Sequence, residues 1–469
     1  MNQSIFRAYD VRGTYPDEVN EDAFKRIAQA YAVFLKPKRV AALRQAQGSN
    51  SKTTFRIAVG RDVRLSGPSL QKAVIDGLTA MGVDVIDVGV GPTELLYFAV
   101  GSLNLDGGIQ VSASHNPAEF NGLKMVKGGV EAISGDTGLR EIQGLAMSDQ
   151  AFKSDHQGTV ETQNVADAYL DYVAKLVNLS KLPQLKIVAN NNFGMSGPLA
   201  KQLLQKIGAP VELIELNFAP DGSFPKGRPD PLIPENRAET STEIRQNGAN
   251  LGVAWDADGD RCYVADEDGM FIEGCHMTAL LAVHLLKKSS GQKIIYDPRN
   301  TWAVEAAIKD HQGIPVLSKT GHAFIKNRMK SEGALFAGEM SGHYYYQDFF
   351  NADNGIITFL RFLEIIAESQ QKVSEIVAPL RAKYFVSGEI NFKVDDVQAA
   401  TNDVKREFPG GKEDKTDGLS VDFDDWRFNL RTSNTESLLR LNVEALNEAA
   451  CMNHTNRITE ILRYHSAKL

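Results

Sequence analysis

Two short stretches of this chain carry residue types that can move a phosphoryl group. The first, Ser112-Ala113-Ser114-His115-Asn116-Pro117, is a loop of small and polar residues just past the strand-like run Gly108-Ile109-Gln110-Val111. The second, Asp256-Ala257-Asp258-Gly259-Asp260-Arg261, sets three carboxylates at alternate positions with a guanidinium directly after them. A hydroxyl that can carry phosphate, oxygen ligands for a divalent cation and an arginine to orient charge make up a phosphoryl-transfer site. An extended backbone would put the three carboxylates on one face, because alternate residues share a side. Oxygen ligands of this kind suit Mg²⁺, which keeps open positions for water or phosphate oxygens.

Each stretch also has a blander reading. Ser-His-Asn-Pro is good turn chemistry, and an acidic cluster can be a solvated turn. An EF-hand is rejected, because its twelfth position falls on Glu267 at best and Asp256 follows a strand rather than a helix. Ser114 is a poor nucleophile unaided and needs a base, a cation or prior phosphorylation. His115, Asn116 and backbone amides offer donors to a phosphate.

Two further loops add binding groups. Gly338-Glu339-Met340-Ser341-Gly342-His343 brings a carboxylate, a hydroxyl and an imidazole suited to vicinal sugar hydroxyls. Arg431-Thr432-Ser433-Asn434-Thr435-Glu436 brings a guanidinium and several hydrogen-bonding side chains that fit phosphate oxygens. Each of these could equally be a solvated loop. No G-x-x-x-x-G-K-[ST] loop, G-x-G-x-x-G fingerprint or H-E-x-x-H pair is present, so Ser114 rather than ATP is read as the phosphate donor.

A strand–helix rhythm places these loops. Phe55–Val59 reads as a buried strand, Ser69–Met81 as an amphipathic helix, Val83–Val88 as a strand and Thr93–Val100 as a helix, before the strand that leads to Ser114. The rhythm returns through Leu185–Ala189, Leu199–Ile207, Val211–Leu216 and Asn236–Asn247 to Leu251–Trp255 and the aspartates. A third round, through Lys293–Tyr296, Trp302–Lys309, Pro315–Leu317 and Phe324–Met329, ends at Leu335-Phe336-Ala337 and the Glu339 loop. Open α/β sheets bind ligands beyond the carboxyl ends of their strands, where all three motifs fall. The expected architecture is therefore α/β: three consecutive related domains with βαβαβ cores, their loops aimed into a central cleft, and a smaller C-terminal α+β domain. The boundaries are set at 1–155, 156–270, 271–382 and 383–469. Lys36–Thr54, with Pro37 and Gly48, reads as an exposed loop or insertion.

Bulk properties narrow the setting. At 469 residues the chain should hold several domains, and 43% hydrophobic with 23% charged residues is ordinary globular composition. A formal net charge of -8 argues against nucleic acid as a partner. Cys262, Cys275 and Cys451 form neither a zinc spacing nor an even disulfide set. No signal-like N-terminal segment or membrane-length apolar run is seen, so the cytoplasm is expected.

The four loops, in this order and at these separations, resemble the α-D-phosphohexomutase superfamily over essentially the whole chain. Ala8-Tyr9-Asp10-Val11-Arg12-Gly13, Tyr296-Asp297-Pro298-Arg299 and Ser318-Lys319-Thr320-Gly321-His322 match as well, the last two being similar to bacterial phosphomannomutases. The resemblance implies a phosphorylated Ser114 and Mg²⁺ held by that group with Asp256, Asp258 and Asp260. It implies acid/base candidates in Lys124, Arg12 and His343, with His115 in the catalytic loop. Substrate contacts are implied for Tyr9, Arg261, Arg299, Lys319, His322, Glu339, Ser341, His343, Arg431, Ser433, Asn434 and Thr435. The reaction implied interconverts hexose 1-phosphate and hexose 6-phosphate through a hexose 1,6-bisphosphate intermediate, with mannose the expected sugar. The alternatives are a glucose or glucosamine phosphate mutase, or a non-catalytic sugar-phosphate-binding protein. Ser112 stands where the family usually has threonine, and Ser437 replaces a usual proline.

Overall fold

The computed structural model describes residues 1–45, 55–432 and 438–466. The chain divides into two compact units, Met1–Phe271 with Tyr345–Gln370, and Ile272–Tyr344 with Gln371–Leu469. Among the described residues, no helix is long and apolar enough to cross a membrane.

The first sheet of the larger unit runs Gly107–Val111, Arg56–Arg61, Asp84–Val90 and Val160–Thr162 in parallel order. Parallel neighbours need crossovers, which the helices Gly67–Thr79 and Thr93–Ser102 supply. Ile57, Val59, Val85, Ile109 and Val111 are fully buried, as strands covered on both faces should be. Helix Gly67–Thr79 turns Leu70, Val74 and Leu78 into the same core as Phe24, Ile27 and Tyr31 of helix Glu21–Gln45.

The pattern reading left out four strands of this seven-stranded sheet, the short Glu131–Ala132 and Val160–Thr162 among them. Phe120–Lys127 returns antiparallel beside Gly107–Val111, and Val11–Thr14 pairs antiparallel with it. Register sets Lys124 opposite Gln110 and Arg12 opposite Gly122, so both cations ride on strands beside the serine loop.

Lys36–Thr54 needs correction. The backbone is helical as far as Gln45, and 46–54 lie outside the described residues. Positions 38–45 are mostly good helix formers, and a helix already begun at Glu21 has only to propagate through Pro37.

The second sheet of this unit holds Leu251–Trp255, Leu185–Asn190 and Val211–Leu216 in parallel, with Cys262–Ala265 antiparallel at its edge. Trp255 pairs with Cys262, so the six residues Asp256–Arg261 are the tip of a β-hairpin. Gly259 takes φ 80°, the left-handed region open to glycine. The carboxylates therefore meet by chain reversal, not by the shared face of an extended segment.

Helix Gly355–Ser369 belongs to this unit and starts against that hairpin. Asn354 caps it, accepting from the Ile357 amide at 2.8 Å. Phe359 meets Trp255 edge-on, with ring centroids 5.5 Å apart.

In the smaller unit, Lys293–Tyr296 lies between Ile314–Leu317 and Phe336–Gly338, all parallel. A separate antiparallel sheet follows the order Phe385–Val386, Leu439–Ala445, Trp426–Thr432, Leu419–Asp422, Lys412–Asp414. Its apolar face joins helices Val397–Glu407 and Glu448–Tyr464 in one core with Phe428, Leu430, Leu441 and Val443. Its polar face is tied to the loop after Lys293–Tyr296. Arg427 donates to the carbonyls of Pro298 and Arg299 at 3.1 Å each, and Glu444 accepts from the amides of Thr301 at 2.9 Å and Trp302 at 3.2 Å.

A Cβ at Gly355 would lie 2.3 Å from the Gly259 carbonyl oxygen and 2.9 Å from that of Arg261. Gly355→Ala should lower the unfolding free energy by about 1–3 kcal/mol, seen as a lower urea midpoint. An unchanged midpoint would mean that the hairpin yields without cost.

Candidate functional site

Ser114 is buried in the loop after strand Gly107–Val111, and its φ is 49°, unusual for a residue with a Cβ. Its amide donates to Ser112 Oγ at 2.9 Å. Arg64, fully buried, fixes the rest of the loop. Its NH2 reaches the carbonyls of Ser114 and Asn116 at 2.7 and 2.6 Å, and its NH1 those of Pro117 and Phe120 at 2.6 and 2.9 Å. A guanidinium suits this task because its planar fork meets several acceptors at once. The loop is over-determined, which is what a strained backbone needs to persist.

The Ser114 hydroxyl points at the hairpin tip. Its Oγ donates to Asp256 Oδ2 at 2.7 Å and lies 3.2 Å from His115 Nδ1. Asp256, Asp258 and Asp260 each bring a carboxylate oxygen within 4.8 Å of the others, and all three are buried. Asp258 Oδ2 accepts from Ser112 Oγ at 3.0 Å, Thr93 Oγ1 at 2.8 Å and Lys124 Nζ at 2.6 Å. Lys124 also bonds Asp260. Arg261 stands with Nε 3.8 Å from Asp256 Oδ2.

Charge dominates this cluster. Burial, then Asp260 and Asp258, push the Asp256 carboxyl well above its ordinary range. Burial would lower the Lys124 ammonium, but Asp258 and Asp260 outweigh it and hold it well above its usual value. Burial, then Arg261, Arg12 and Arg228, drive the His115 imidazole well below its usual value, so it is neutral at pH 7. Buried carboxylates crowded this closely favour a hard cation, and Asp258 Oδ1 is buried without a hydrogen-bond partner. The residues present fit Mg²⁺.

The same unit also gathers Arg12, which donates to Asn116 Oδ1 at 2.6 Å and to Asp10 Oδ2 at 2.5 Å. Tyr9 is half-buried beside Arg12. Of the groups gathered here, the sequence reading named Ser114, His115, Asn116, Lys124, Arg12, Tyr9, Arg261 and the three aspartates, but gave no role to Ser112, which bonds both Ser114 and Asp258. Arg64, Thr93, Glu94 and Arg228 were missed. Arg64 closes the run Gly60-Arg61-Asp62-Val63-Arg64 just beyond a strand's carboxyl end, a signal that could have flagged it. Thr93 opens a helix whose amide end faces Asp258, with its own N–H 2.9 Å from the Asp258 carbonyl. Glu94 is fully buried with no hydrogen-bond partner on either side-chain oxygen; burial, and after it the three aspartates, push its carboxyl well above the usual range. Arg228 donates Nε to the His115 carbonyl at 3.0 Å.

The smaller unit assembles a second set around Arg299. Its Nε and NH2 grip Asp297 at 2.9 and 2.7 Å, and NH2 lies 3.8 Å from Glu339 Oε1. The Asp297 carboxylate also accepts the Met340 amide at 2.9 Å, and Glu339 Oε1 accepts the Gly321 amide at 2.8 Å. Ser341 Oγ lies 3.1 Å from His343 Nδ1, and the rings of His322 and His343 stack with centroids 6.4 Å apart. Lys319 is exposed in the loop after Ile314–Leu317. Arg431 donates NH2 to Glu389 at 3.0 Å. Ser433, Asn434 and Thr435 lie outside the described residues. Asp297, Glu389 and Arg440 carried no assigned role in the sequence reading, although Asp297 stands inside one of its motifs.

Comparison with known proteins gives matches along the chain. Four models of one family, described as phosphoglucomutase/phosphomannomutase, match in succession. Alpha/beta/alpha domain I matches residues 3–145, domain II 167–269, domain III 273–384 and the C-terminal domain 389–461. A phosphomannomutase of Salmonella montevideo is 43% identical over 98% of this chain and 99% of its own length. A protein of Xanthomonas campestris pv. campestris named phosphohexose mutases is 42% identical over 99% of this chain and all of its own. The crystal structure of a phosphoglucomutase/phosphomannomutase family protein from Burkholderia thailandensis superposes with a TM-score of 0.85 at 32% identity, covering 99% of this chain and 98% of that one.

Arg64→Lys should keep the charge but lose the fork that spans four carbonyls. The expected cost is about 2–4 kcal/mol of stability, with faster amide hydrogen exchange at Ser114–Asn116. Exchange as slow as in the parent would show that the loop holds itself.

Proposed function

The chain belongs to the phosphoglucomutase/phosphomannomutase family, and we propose that it interconverts the 1- and 6-phosphates of a hexose, with mannose as the sugar. The observation that carries this reading is the Ser114 hydroxyl, 2.7 Å from Asp256 and backed by three converging buried carboxylates.

In the proposed cycle the resting enzyme carries a phosphoryl group on Ser114 Oγ. The free hydroxyl of a hexose monophosphate attacks phosphorus, a new P–O bond forms to the sugar and the bond to Ser114 Oγ breaks. The hydroxyl proton leaves and Ser114 Oγ regains one, so the step balances. The resulting hexose 1,6-bisphosphate turns over, returns its other phosphate to Ser114 and leaves as the isomeric monophosphate. Mg²⁺, held by Asp256, Asp258, Asp260 and the serine phosphate, would supply charge neutralisation on the transferring group.

The chain's own residues fit the remaining demands. His115, neutral and 3.2 Å from Ser114 Oγ, is placed to take or return the hydroxyl proton. Lys124, held charged, faces the same carboxylates and steadies negative charge as it builds. Arg12 and Arg261 add positive charge around the loop, with Tyr9 beside them. In the second unit, Glu339, Ser341, His343, His322 and Lys319 offer the donors and acceptors that vicinal sugar hydroxyls need. Arg299 and Arg431, with the side chains of Ser433, Asn434 and Thr435, offer cationic and polar partners for the non-transferring phosphate.

Ser114→Ala should retain the fold and lose most turnover, at least a 100-fold drop in a mannose 1-phosphate assay. Near-parental rates would overturn the serine as phosphate carrier. Stripping divalent cations with a chelator should silence the enzyme and added Mg²⁺ should restore it; chelator-resistant turnover would contradict the aspartate assignment.

A further inference from the structure

Arg431 and Arg440 face each other on adjacent strands, Trp426–Thr432 and Leu439–Ala445, as a directly paired position of the antiparallel ladder. Like charges opposite each other destabilise a sheet. Glu389, just before strand Ile390–Phe392, resolves the conflict. Its Oε2 meets Arg431 NH2 at 3.0 Å and Arg299 NH1 at 3.4 Å, and its Oε1 meets Arg440 NH1 at 3.1 Å. The partners are not equivalent. Arg299 has already committed Nε and NH2 to Asp297, whereas Arg431 and Arg440 each spend a guanidinium nitrogen on Glu389.

A carboxylate gripped by three guanidiniums uses the same planar donors that hold a phosphate's oxygens. We propose that Glu389 is a built-in rival of the substrate's non-transferring phosphate, competing for Arg431 and Arg440 and so limiting how tightly this subsite holds it. The inference rests on the reading of Arg299 and Arg431 as phosphate partners given above and extends it to Arg440, the residue paired with Arg431. Its use follows from the cycle, since a bisphosphate that must turn over has to release one phosphate from this subsite before the other can enter. An uncompensated trio of arginines would hold the dianion too long. Electrostatics agree: burial alone would raise the Glu389 carboxyl, but Arg299, Arg431 and Arg440 keep it below its usual range and therefore ionised at neutral pH.

The test is calorimetric titration of inorganic phosphate into the full chain with Mg²⁺ present, comparing the parent with Glu389→Gln and Glu389→Asp. Glu389→Gln, similar in shape but uncharged, should bind phosphate about threefold to tenfold more tightly, with the gain shrinking at high salt. Glu389→Asp, which keeps the charge, should stay near the parent. In turnover, Glu389→Gln should lower KM and kcat together, as expected when release becomes limiting. Equal or weaker phosphate binding by Glu389→Gln overturns the proposal, whether or not the parent binds phosphate measurably, and assigns Glu389 to ordering the guanidiniums. Because the titration needs no turnover, it stays separate from the fate of the mutase reading, which would fall on absent hexose phosphate interconversion by the parent.

Discussion

Three carboxylates buried within 4.8 Å of one another repel, and the site around Ser114 is organised by that fact. Lys124 answers two of them, Thr93 and Ser112 answer Asp258 with hydroxyls, and the Ser114 hydroxyl answers Asp256. Even so, Asp256 is held well above the usual carboxylate range by burial and by its two neighbours. A cluster in this condition has a strong appetite for positive charge. The Ser114 hydroxyl is thus placed by electrostatic need as much as by backbone geometry.

The second unit solves a related problem with the signs reversed. There the guanidiniums of Arg299, Arg431 and Arg440 crowd together, and Asp297 and Glu389 separate them. Burial, then Arg299, press down on the Arg431 charge, while Glu389 supports it. One unit therefore concentrates anionic ligands and the other cationic ones.

The strand–helix rhythm was legible because apolar runs and helical faces repeat, and the strands Val211–Leu216, Leu251–Trp255 and Lys293–Tyr296 stand where that pattern puts them. Phe120–Lys127 was not legible: Asn121 and Gly122 break its apolar run, and only pairing with Gly107–Val111 on one side and Val11–Thr14 on the other makes it a strand. The same holds for the aspartates. Alternation suggested an extended segment, but the pairing of Trp255 with Cys262 makes a hairpin tip. Motif residues were legible because their types announce chemistry. Glu389 was not, since its importance lies in which distant guanidiniums it touches.

The serine loop leaves one sheet of the larger unit and the aspartate hairpin leaves the other, and Ser112, Ser114, Thr93 and Lys124 are the first sheet's side of that junction. A cation held by the aspartates and Ser114 would be a further clasp between two layers already joined by the Ser114, Ser112, Thr93 and Lys124 bonds to the hairpin. By linkage, occupancy of the clasp raises the stability of whichever state keeps the layers in contact. Divalent ion concentration should thus register in the melting behaviour of this part of the molecule even when no sugar is present.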